Sequence, residues 1–370
     1  MPSKNKNLSA FLLSSYAILF EAMKQYNFYA GPSILHPDVI HAALSEIEGK
    51  NGLSILESSH RGKEVQYLFD YTKNKLKDLM QLDDKYEILF LHGGARLQNC
   101  MVPYNIRTKE AASYIDTGVW SKKSFEESSI IRPSQILASS SSEKYSYVPK
   151  DFNWDGKGYL HITTNNTIHG TQFHDFEFTK QGVVVADMSS DILSRKMEYN
   201  QFGLIYAGLQ KNLGTAGGTL LVIDKNLLED LPKVPRMLNY KIHVDANSMF
   251  NTPPVFAVLM CRIVLDWMEK KGGISLIAEE NNQKASMLYE AIDELDHFKG
   301  FAEKEDRSLM NVTFKLIDDA FKPQFDEALN ESGIIGLNGH RSKGGYRASL
   351  YNQLPLNHVE HLVKVMRNFA

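Results

Sequence analysis

The sequence has little cysteine and no excess of charge of either sign. Cys100 and Cys261 are its only two cysteines among 370 residues, too few for a disulfide framework and without the paired spacing of a zinc site. Lys and Arg number 41 against 44 Asp and Glu, a net charge of −3, with no long run of one sign. This balance argues against a nucleic-acid or membrane-surface protein. We expect a cytoplasmic globular protein with no metal, nucleic-acid or membrane partner.

The first 22 residues form a separate stretch. Two lysines precede the apolar run AFLLSSYAILF (10–20), which loosely resembles a secretory signal. The run is too short to cross a bilayer as a helix, and no small-residue cleavage site follows it before Met23. We therefore expect residues 1–22 to be an extension or an upstream translation.

Helical and strand-like patterns alternate through most of the chain. Residues 65–82 repeat apolar side chains at helical spacing, and a short apolar run follows that stops at glycines, as a strand feeding a loop would. Further runs of Val, Ile and Leu lack alternation, which is typical of strands covered on both faces. The pattern predicts an α/β fold with a mostly parallel sheet and strands within 86–94, 113–118, 159–166, 182–189, 204–208 and 218–224.

The pattern changes after residue 272. A long helical pattern at 275–295 is followed by a strand-like run at 311–317 and by a last amphipathic helix from about Leu356. We predict a large domain at 37–272 and a smaller α+β domain at 273–370, with residues 23–36 packed against the smaller one.

Two residues of opposite charge follow predicted strands. Asp187 ends GVVVAD (182–187), and Lys211 lies in IYAGLQKNLG (205–214), again at a strand end, where ligands of open α/β sheets bind. Asp187 by itself fits a capping role equally well, and the two charges fit a simple ion pair. A buried lysine is costly unless it is paired or used. Its chemical use would be a Schiff base with pyridoxal phosphate, beside a carboxylate that keeps the pyridine nitrogen protonated.

Two further segments fit the same cofactor. LHGGARLQN (91–99) places glycines between a strand and a predicted helix, whose free N–H groups suit a phosphate. It matches neither the dinucleotide G-x-G-x-x-G nor the nucleotide G-x-x-x-x-G-K-[ST] pattern, so NAD and ATP are not favoured. Trp120 follows another strand end, where it is either a core residue or a flat surface for a pyridine ring.

Together these segments resemble the phosphoserine aminotransferases, a class V family of pyridoxal-phosphate enzymes with fold type I. The resemblance covers nearly everything from about Met23 to the C-terminus. It implies a large domain with a mostly parallel seven-stranded sheet and a smaller C-terminal α+β domain. The matching segments follow in the expected order: NFYAGPS (27–33), SSHRGKE (58–64), HGGAR (92–96), DTGVW (116–120), ADMSSDILSR (186–195), IYAGLQKN (205–212), MFNTPP (249–254) and GHRSKGGYRAS (339–349).

The resemblance also implies roles in binding pyridoxal 5'-phosphate. Lys211 would attach the cofactor covalently, Asp187 would pair with its pyridine nitrogen, and Trp120 would stack on the ring. Thr167 would hydrogen-bond the phenolic oxygen. The phosphate ligands implied are Ala95, Arg96, Gln210, Asn251 and Thr252. The last two belong to the neighbouring subunit in the family, so a homodimer with shared active sites is implied.

The implied reaction is reversible amino transfer between L-glutamate and 3-phosphohydroxypyruvate, giving O-phospho-L-serine and 2-oxoglutarate in serine biosynthesis. The use of 4-phosphohydroxy-L-threonine, a substrate in pyridoxine biosynthesis, stays open. Both amino donors carry two anionic groups, which guanidinium groups bind well. The residues implied for them are His60, Arg61, His340, Arg341 and Arg347, the first two from across the dimer. Ala30 stands where relatives often have a serine that contacts the substrate carboxylate.

Two alternatives remain. A cysteine desulfurase-like lyase of the same class needs a nucleophilic cysteine on a mobile loop, whereas Cys100 follows the glycine turn and Cys261 lies in an apolar helix-like run. A non-catalytic protein that binds phosphorylated ligands would not need both Lys211 and Asp187.

Overall fold

The computed structural model describes residues 25–49 and 53–370, so the predicted extension at 1–22 lies outside the described residues. The described chain opens with a short strand, β1 (Tyr26–Asn27). Within the described ranges, no helix combines the length and the apolar composition needed to span a membrane.

The central layer is a seven-stranded sheet. Its strands are β2 (Tyr86–Leu91), β3 (Ala112–Asp116), β4 (Ser134–Ser139), β5 (Tyr159–Thr163), β6 (Val183–Asp187), β7 (Leu204–Gly208) and β8 (Thr219–Asp224). They lie in the order β2-β8-β7-β6-β5-β3-β4. Strands β4, β3, β5, β6 and β7 run parallel, and β8 is antiparallel to both of its neighbours. The sheet is mostly parallel, as the sequence predicts.

Helices cover both faces of this sheet. They are α1 (Pro37–Glu48), α2 (Lys63–Met80), α3 (Gly94–Asn105), α4 (Val119–Ile131), α5 (Tyr240–Asp245) and α6 (Val255–Lys270). One apolar core joins α1, α2 and α6 to Phe90 and Ile162, while a second joins α3 and α5 to Leu89 and Tyr206 on the opposite face. Because both faces are buried, the central strands carry the uninterrupted apolar runs seen in the sequence.

The C-terminal part forms a smaller α+β unit. Its elements are α7 (Gly273–Glu294), β9 (Phe298–Gly300), β10 (Asn311–Leu316), α8 (Lys322–Glu331), β11 (Ile334–Ile335), β12 (Tyr346–Ser349) and α9 (Leu356–Phe369). Strand β10 pairs antiparallel with both β9 and β12. The N-terminal strand β1 pairs parallel with β11, and Phe28 is buried in the core of this unit.

Strand β4 was not anticipated from the sequence, which reads as a polar connector from residue 138. It lies at the edge of the sheet, and none of its residues is fully buried. An edge strand with exposed side chains needs no apolar run, so its sequence carries little signal.

Candidate active site

A cavity of about 390 Å³ lies at the carboxyl edge of the sheet, within the size range of small-molecule sites. Strand ends Thr163 and Asp187 line it, together with Ala30 and Gly31 from the N-terminal segment. Nine of the residues singled out in the sequence lie around it: Ala95, Arg96, Trp120, Thr167, Asp187, Gln210, Lys211, His340 and Arg347.

Lys211 enters the cavity from the turn after β7. Its Nζ donates a hydrogen bond to Thr167 Oγ1 at 2.8 Å. Ser33 holds the turn, because its Oγ donates to the carbonyl of Lys211 at 2.7 Å and its N–H to that of Gln210 at 3.0 Å. Burial lowers the pKa of Lys211 to about 8, against the opposing charge of Asp187. An appreciable fraction of the amine is therefore neutral near pH 7.5, as a nucleophile requires.

Asp187 is the last residue of β6. Its Oδ1 accepts two hydrogen bonds from Ser189, one from the N–H at 2.9 Å and one from Oγ at 2.5 Å. Burial raises the pKa of Asp187, while both Ser189 bonds and the charge of Lys211 counter the rise. Ser189 Oγ also accepts from the N–H of Gly208 at 3.2 Å, which ties the end of β6 to the end of β7.

The N-terminus of α3 supplies an anion site. Gly93 is its N-cap residue, with φ 87°, and as a glycine it has no side chain to cap the helix. A Cβ on Gly93 would lie 2.5 Å from Leu97 Cδ2, whereas one on Gly94, at φ 66°, would meet open space. Ala95 and Arg96, in the first turn, line the cavity. The uncapped N–H groups and the helix dipole therefore face a position suited to a phosphate.

Among the side chains that line the cavity, two buried N–H donors have no hydrogen-bond acceptor within the described part of the chain. They are Trp120 Nε1, at the start of α4, and Arg347 Nε, on β12. Arg347 Nη1 donates only a long bond, 3.4 Å, to the carbonyl of Thr167. Buried donors without partners are rare and call for an explanation. Because both residues line the cavity, an acceptor-rich ligand such as pyridoxal phosphate with a carboxylate substrate fits the residues present.

Five residues singled out in the sequence do not line this cavity: His60, Arg61, Asn251, Thr252 and Arg341. The first two precede α2, where His60 is half-buried and Arg61 exposed. Asn251 and the exposed Thr252 precede α6, and His92 Nε2 donates to the Thr252 carbonyl at 2.7 Å. Four of the five are those expected to act across a dimer, and Arg341 is exposed beside His340.

A polar network that the sequence did not predict lies beneath the cavity. Tyr206, which pairs with Asp187 in register, joins its hydroxyl to His161 Nε2 at 2.9 Å and donates to Asn99 Oδ1 at 3.3 Å. Burial lowers the pKa of His161 to about 3, so this ring is neutral. These residues sit inside apolar strand runs or a helix, where no motif distinguishes them from core.

A half-buried lysine near a carboxylate, beside a helix N-terminus that can bind a phosphate, defines the class of protein, a pyridoxal-phosphate enzyme built on an α/β sheet. Residues 25–362 match the family model of class-V aminotransferases. The chain belongs to this family.

Two relatives of high identity carry the same name. The chain is 47% identical to a phosphoserine aminotransferase of Geobacillus kaustophilus over 354 residues, which cover 94% of this chain and 98% of the relative. A phosphoserine aminotransferase of Alkalihalobacillus alcalophilus is 44% identical over 353 residues, with 93% and 98% covered.

Solved structures agree with the sequence comparisons. The phosphoserine aminotransferase of Bacillus circulans subsp. alkalophilus superimposes with a TM-score of 0.90 at 40% identity, covering 94% of this chain and 98% of that one. The pyridoxal-phosphate-bound enzyme of Trichomonas vaginalis gives 0.87 at 32% identity, covering 93% and 100%. The predicted family, fold class and pyridoxal phosphate dependence are confirmed.

Proposed function

We propose that this chain transfers an amino group reversibly between L-glutamate and 3-phosphohydroxypyruvate, giving O-phospho-L-serine and 2-oxoglutarate. The observation that carries the proposal is the meeting of Lys211, Asp187, the α3 N-terminus and Arg347 in one cavity. The relatives named above support the choice of substrates.

Different residues of the cavity would bind different parts of the cofactor. Lys211 would attach it, Asp187 would pair with its ring nitrogen, Trp120 would cover a ring face and Thr167 would bind the phenolic oxygen. The first turn of α3, with Ala95 and Arg96, would hold the phosphate together with Gln210. When bound, pyridoxal phosphate supplies a carbonyl carbon for the amino group and a ring that withdraws electrons from the substrate Cα.

Lys211 would have a second task when its amine is not attached to the cofactor. Its free amine lies in the cavity and would take the proton from the substrate Cα as general base. A general base works best with a pKa near the operating pH, and burial lowers the pKa of Lys211 to about 8. Thr167 Oγ1 fixes the position of Nζ at 2.8 Å.

Asp187 acts by charge. Ser189 holds the carboxylate in one orientation through two hydrogen bonds to Oδ1, at 2.5 and 2.9 Å. A fixed anion stabilises a proton on the group that faces it. The carboxylate would therefore keep the ring nitrogen of the cofactor protonated throughout the cycle.

Arg347 and His340 supply the substrate contacts from the smaller unit. Arg347 would bind the α-carboxylate through its guanidinium group, whose Nε lacks an acceptor among the described residues. His340 would bind the phosphate or the distal carboxylate, with Arg341 beside it. The same cationic groups can bind both amino donors, because each donor carries an anionic group at both ends.

The proposal includes a homodimer with two shared sites. His60, Arg61, Asn251 and Thr252 lie away from the cavity of their own chain and would complete the cavity of the other subunit. Apolar side chains exposed on α1, α2, α6 and the segment before α2 support such an interface: Ile40, Leu44, Leu53, Leu56, Tyr67 and Phe256. We also place the enzyme in the cytoplasm, which suits the free thiols of Cys100 and Cys261.

The lyase alternative is less well supported. Burial raises the pKa of Cys100, and Cys261 is fully buried with its pKa raised by the same cause. A nucleophilic cysteine needs a lowered pKa and access to substrate, and neither thiol has them.

The function is tested by loading the purified chain with pyridoxal phosphate and glutamate, then comparing keto acids as acceptors. We expect fast amino transfer to 3-phosphohydroxypyruvate and far slower transfer to 3-hydroxypyruvate, its unphosphorylated control. Equal rates with both would overturn the substrate assignment. No transfer from glutamate at all would favour a non-catalytic binding protein. Adding 4-phosphohydroxy-L-threonine as donor settles whether the longer substrate is also used.

Shared sites are tested by mixing two inactive variants, Lys211→Ala and Arg61→Ala, after dissociation and reassociation. A mixed dimer would contain one site with both wild-type residues, so activity should return to about a quarter of the wild-type value, because half of random dimers are mixed and each has one intact site of two. No recovery, with dimers present by sedimentation, would contradict shared sites.

A further inference from the structure

Lys343 joins two loops that carry different parts of the site. It lies in the turn at 339–345 that leads into β12 and contains His340 and Arg341. Its Nζ donates to His169 Nδ1 at 3.0 Å and to the carbonyl of Lys144 at 3.2 Å. The same nitrogen lies 4.7 Å from the centre of the Phe301 ring.

His169 anchors the other end of this contact. It is 7% exposed and stands two residues after Thr167, the hydrogen-bond acceptor of Lys211. Its carbonyl accepts from Thr313 Oγ1 at 2.9 Å, and its ring lies 4.8 Å from that of Tyr145. The loop with His169 is therefore fixed independently of Lys343.

The contact is a lysine amine donating to a neutral imidazole. Burial lowers the pKa of Lys343 to about 8, so most of its amine is charged at pH 7. Burial, then the charge of Lys343, lowers the pKa of His169 to about 3, so the ring is neutral at that pH. A donor at Nδ1 places the ring hydrogen on Nε2, which has no acceptor among the described residues. Hydrogen bonds from a charged donor are roughly twice as strong as neutral ones.

The turn at 339–345 is closed by backbone hydrogen bonds of its own. The N–H groups of Lys343 and Gly344 both donate to the His340 carbonyl at 2.9 Å, and Ser342 bonds to His340 Nδ1. These bonds shape the turn but lie within it. Gly344 and Gly345 follow at φ 72° and 64°, a left-handed conformation that glycine adopts without steric cost.

We propose that Lys343 is a positioning residue: it ties the turn carrying His340 and Arg341 to the loop carrying Thr167, and so sets where the anionic end of the substrate binds. Lys343 does not line the cavity and acts through His340, which does. The inference rests on the proposed function for the identity of that substrate.

The test compares Lys343→Met, Lys343→Arg and a control, Lys315→Met. Lys315 is an exposed lysine on β10 that lines the same surface cleft as Lys343 and has no role in the site. Losing a charge-assisted hydrogen bond should raise KM for 3-phosphohydroxypyruvate about tenfold or more in Lys343→Met. We expect kcat within about threefold of wild type, because the cofactor groups stay in place. Lys343→Arg should recover most of the affinity, and Lys315→Met should match wild type.

A double variant shows whether His169 carries the effect. His169→Phe alone should raise KM as Lys343→Met does, and the two together should raise it no further than the larger single change. Additive effects, or a Lys343→Met enzyme with the KM of the Lys315→Met control, would overturn the proposal.

Binding of O-phospho-L-serine, followed by the cofactor absorbance, separates this proposal from the proposed function. In one outcome the wild type shows no amino transfer, but Lys343→Met binds phosphoserine more weakly than the wild type does. The proposed function then fails and the positioning role stands. If the wild type transfers amino groups and Lys343→Met binds phosphoserine normally, the positioning role alone fails.

Discussion

The two glycines before α3 differ in a way that can be measured. Both have positive φ, 87° at Gly93 and 66° at Gly94, so alanine at either costs about 1–2 kcal/mol of backbone strain. At Gly93 the new Cβ would also lie 2.5 Å from Leu97 Cδ2 and 2.9 Å from Leu97 Cβ, and such crowding costs about 1–3 kcal/mol more. Gly94, which also lines the cavity, has open space at the same position, so Gly94→Ala carries the backbone strain without the crowding against Leu97.

The crowding displaces the first turn of α3, which is the proposed phosphate site. We therefore expect Gly93→Ala to bind pyridoxal phosphate about 5- to 150-fold more weakly than Gly94→Ala, the equivalent of 1–3 kcal/mol. Absorbance titration of each variant with the cofactor gives the two dissociation constants. Equal constants would refute the claim that the backbone before α3 holds the phosphate.

Three further predictions concern other buried groups. Ser189→Ala should lower kcat about 10- to 100-fold, because Asp187 loses a charge-assisted hydrogen bond. Ser190 Oγ donates to the Asn165 carbonyl instead, so Ser190→Ala should lower kcat less. Equal losses of kcat in the two variants would count against the role of Ser189. The rate at which the cofactor-free chain attaches pyridoxal phosphate should rise with pH through a midpoint near 8, as Lys211 loses its proton. Asp187→Asn should move this midpoint to lower pH, because the charge of Asp187 raises the pKa of Lys211. A midpoint near 10 would be inconsistent with a lysine whose pKa is lowered by burial. Burial lowers the pKa of Lys284 to about 7, so between about pH 7 and 10 the unfolded chain holds more protons than the folded chain. The free energy of unfolding should therefore rise with pH relative to that of Lys284→Met, by at most about 1.4 kcal/mol per pH unit. A difference between the two proteins that does not change with pH in denaturant unfolding would contradict this.

The parallel strands were predictable because burial on both faces leaves a plain apolar run. Asp187 and Lys211 were singled out for the same reason, since each is a polar residue at or shortly after the end of such a run, and the carboxyl ends of parallel strands meet at one edge. Helix α2 was equally clear, because Val65, Leu68 and Phe69 begin a stripe that is buried throughout.

What was missed depends on distant parts of the chain. Strand β4 has no apolar pattern because it is an edge strand. His161 and Tyr206 sit within apolar strands, and only the pairing of β5, β6 and β7 shows that they form a network beneath Asp187. The contact of Lys343 with His169 joins residues 174 positions apart, which no local pattern records.

The central claim is that Lys211 is the amine that holds the cofactor and moves the proton. Borohydride reduction of the enzyme loaded with pyridoxal phosphate makes the lysine linkage permanent, and mass spectrometry of the peptides then locates it. We predict one modified residue, Lys211, with the buried Lys284 and the half-buried Lys343 unmodified, and no modification in Lys211→Ala. A label on another lysine, or an unlabelled Lys211 in an enzyme that transfers amino groups, would contradict the account.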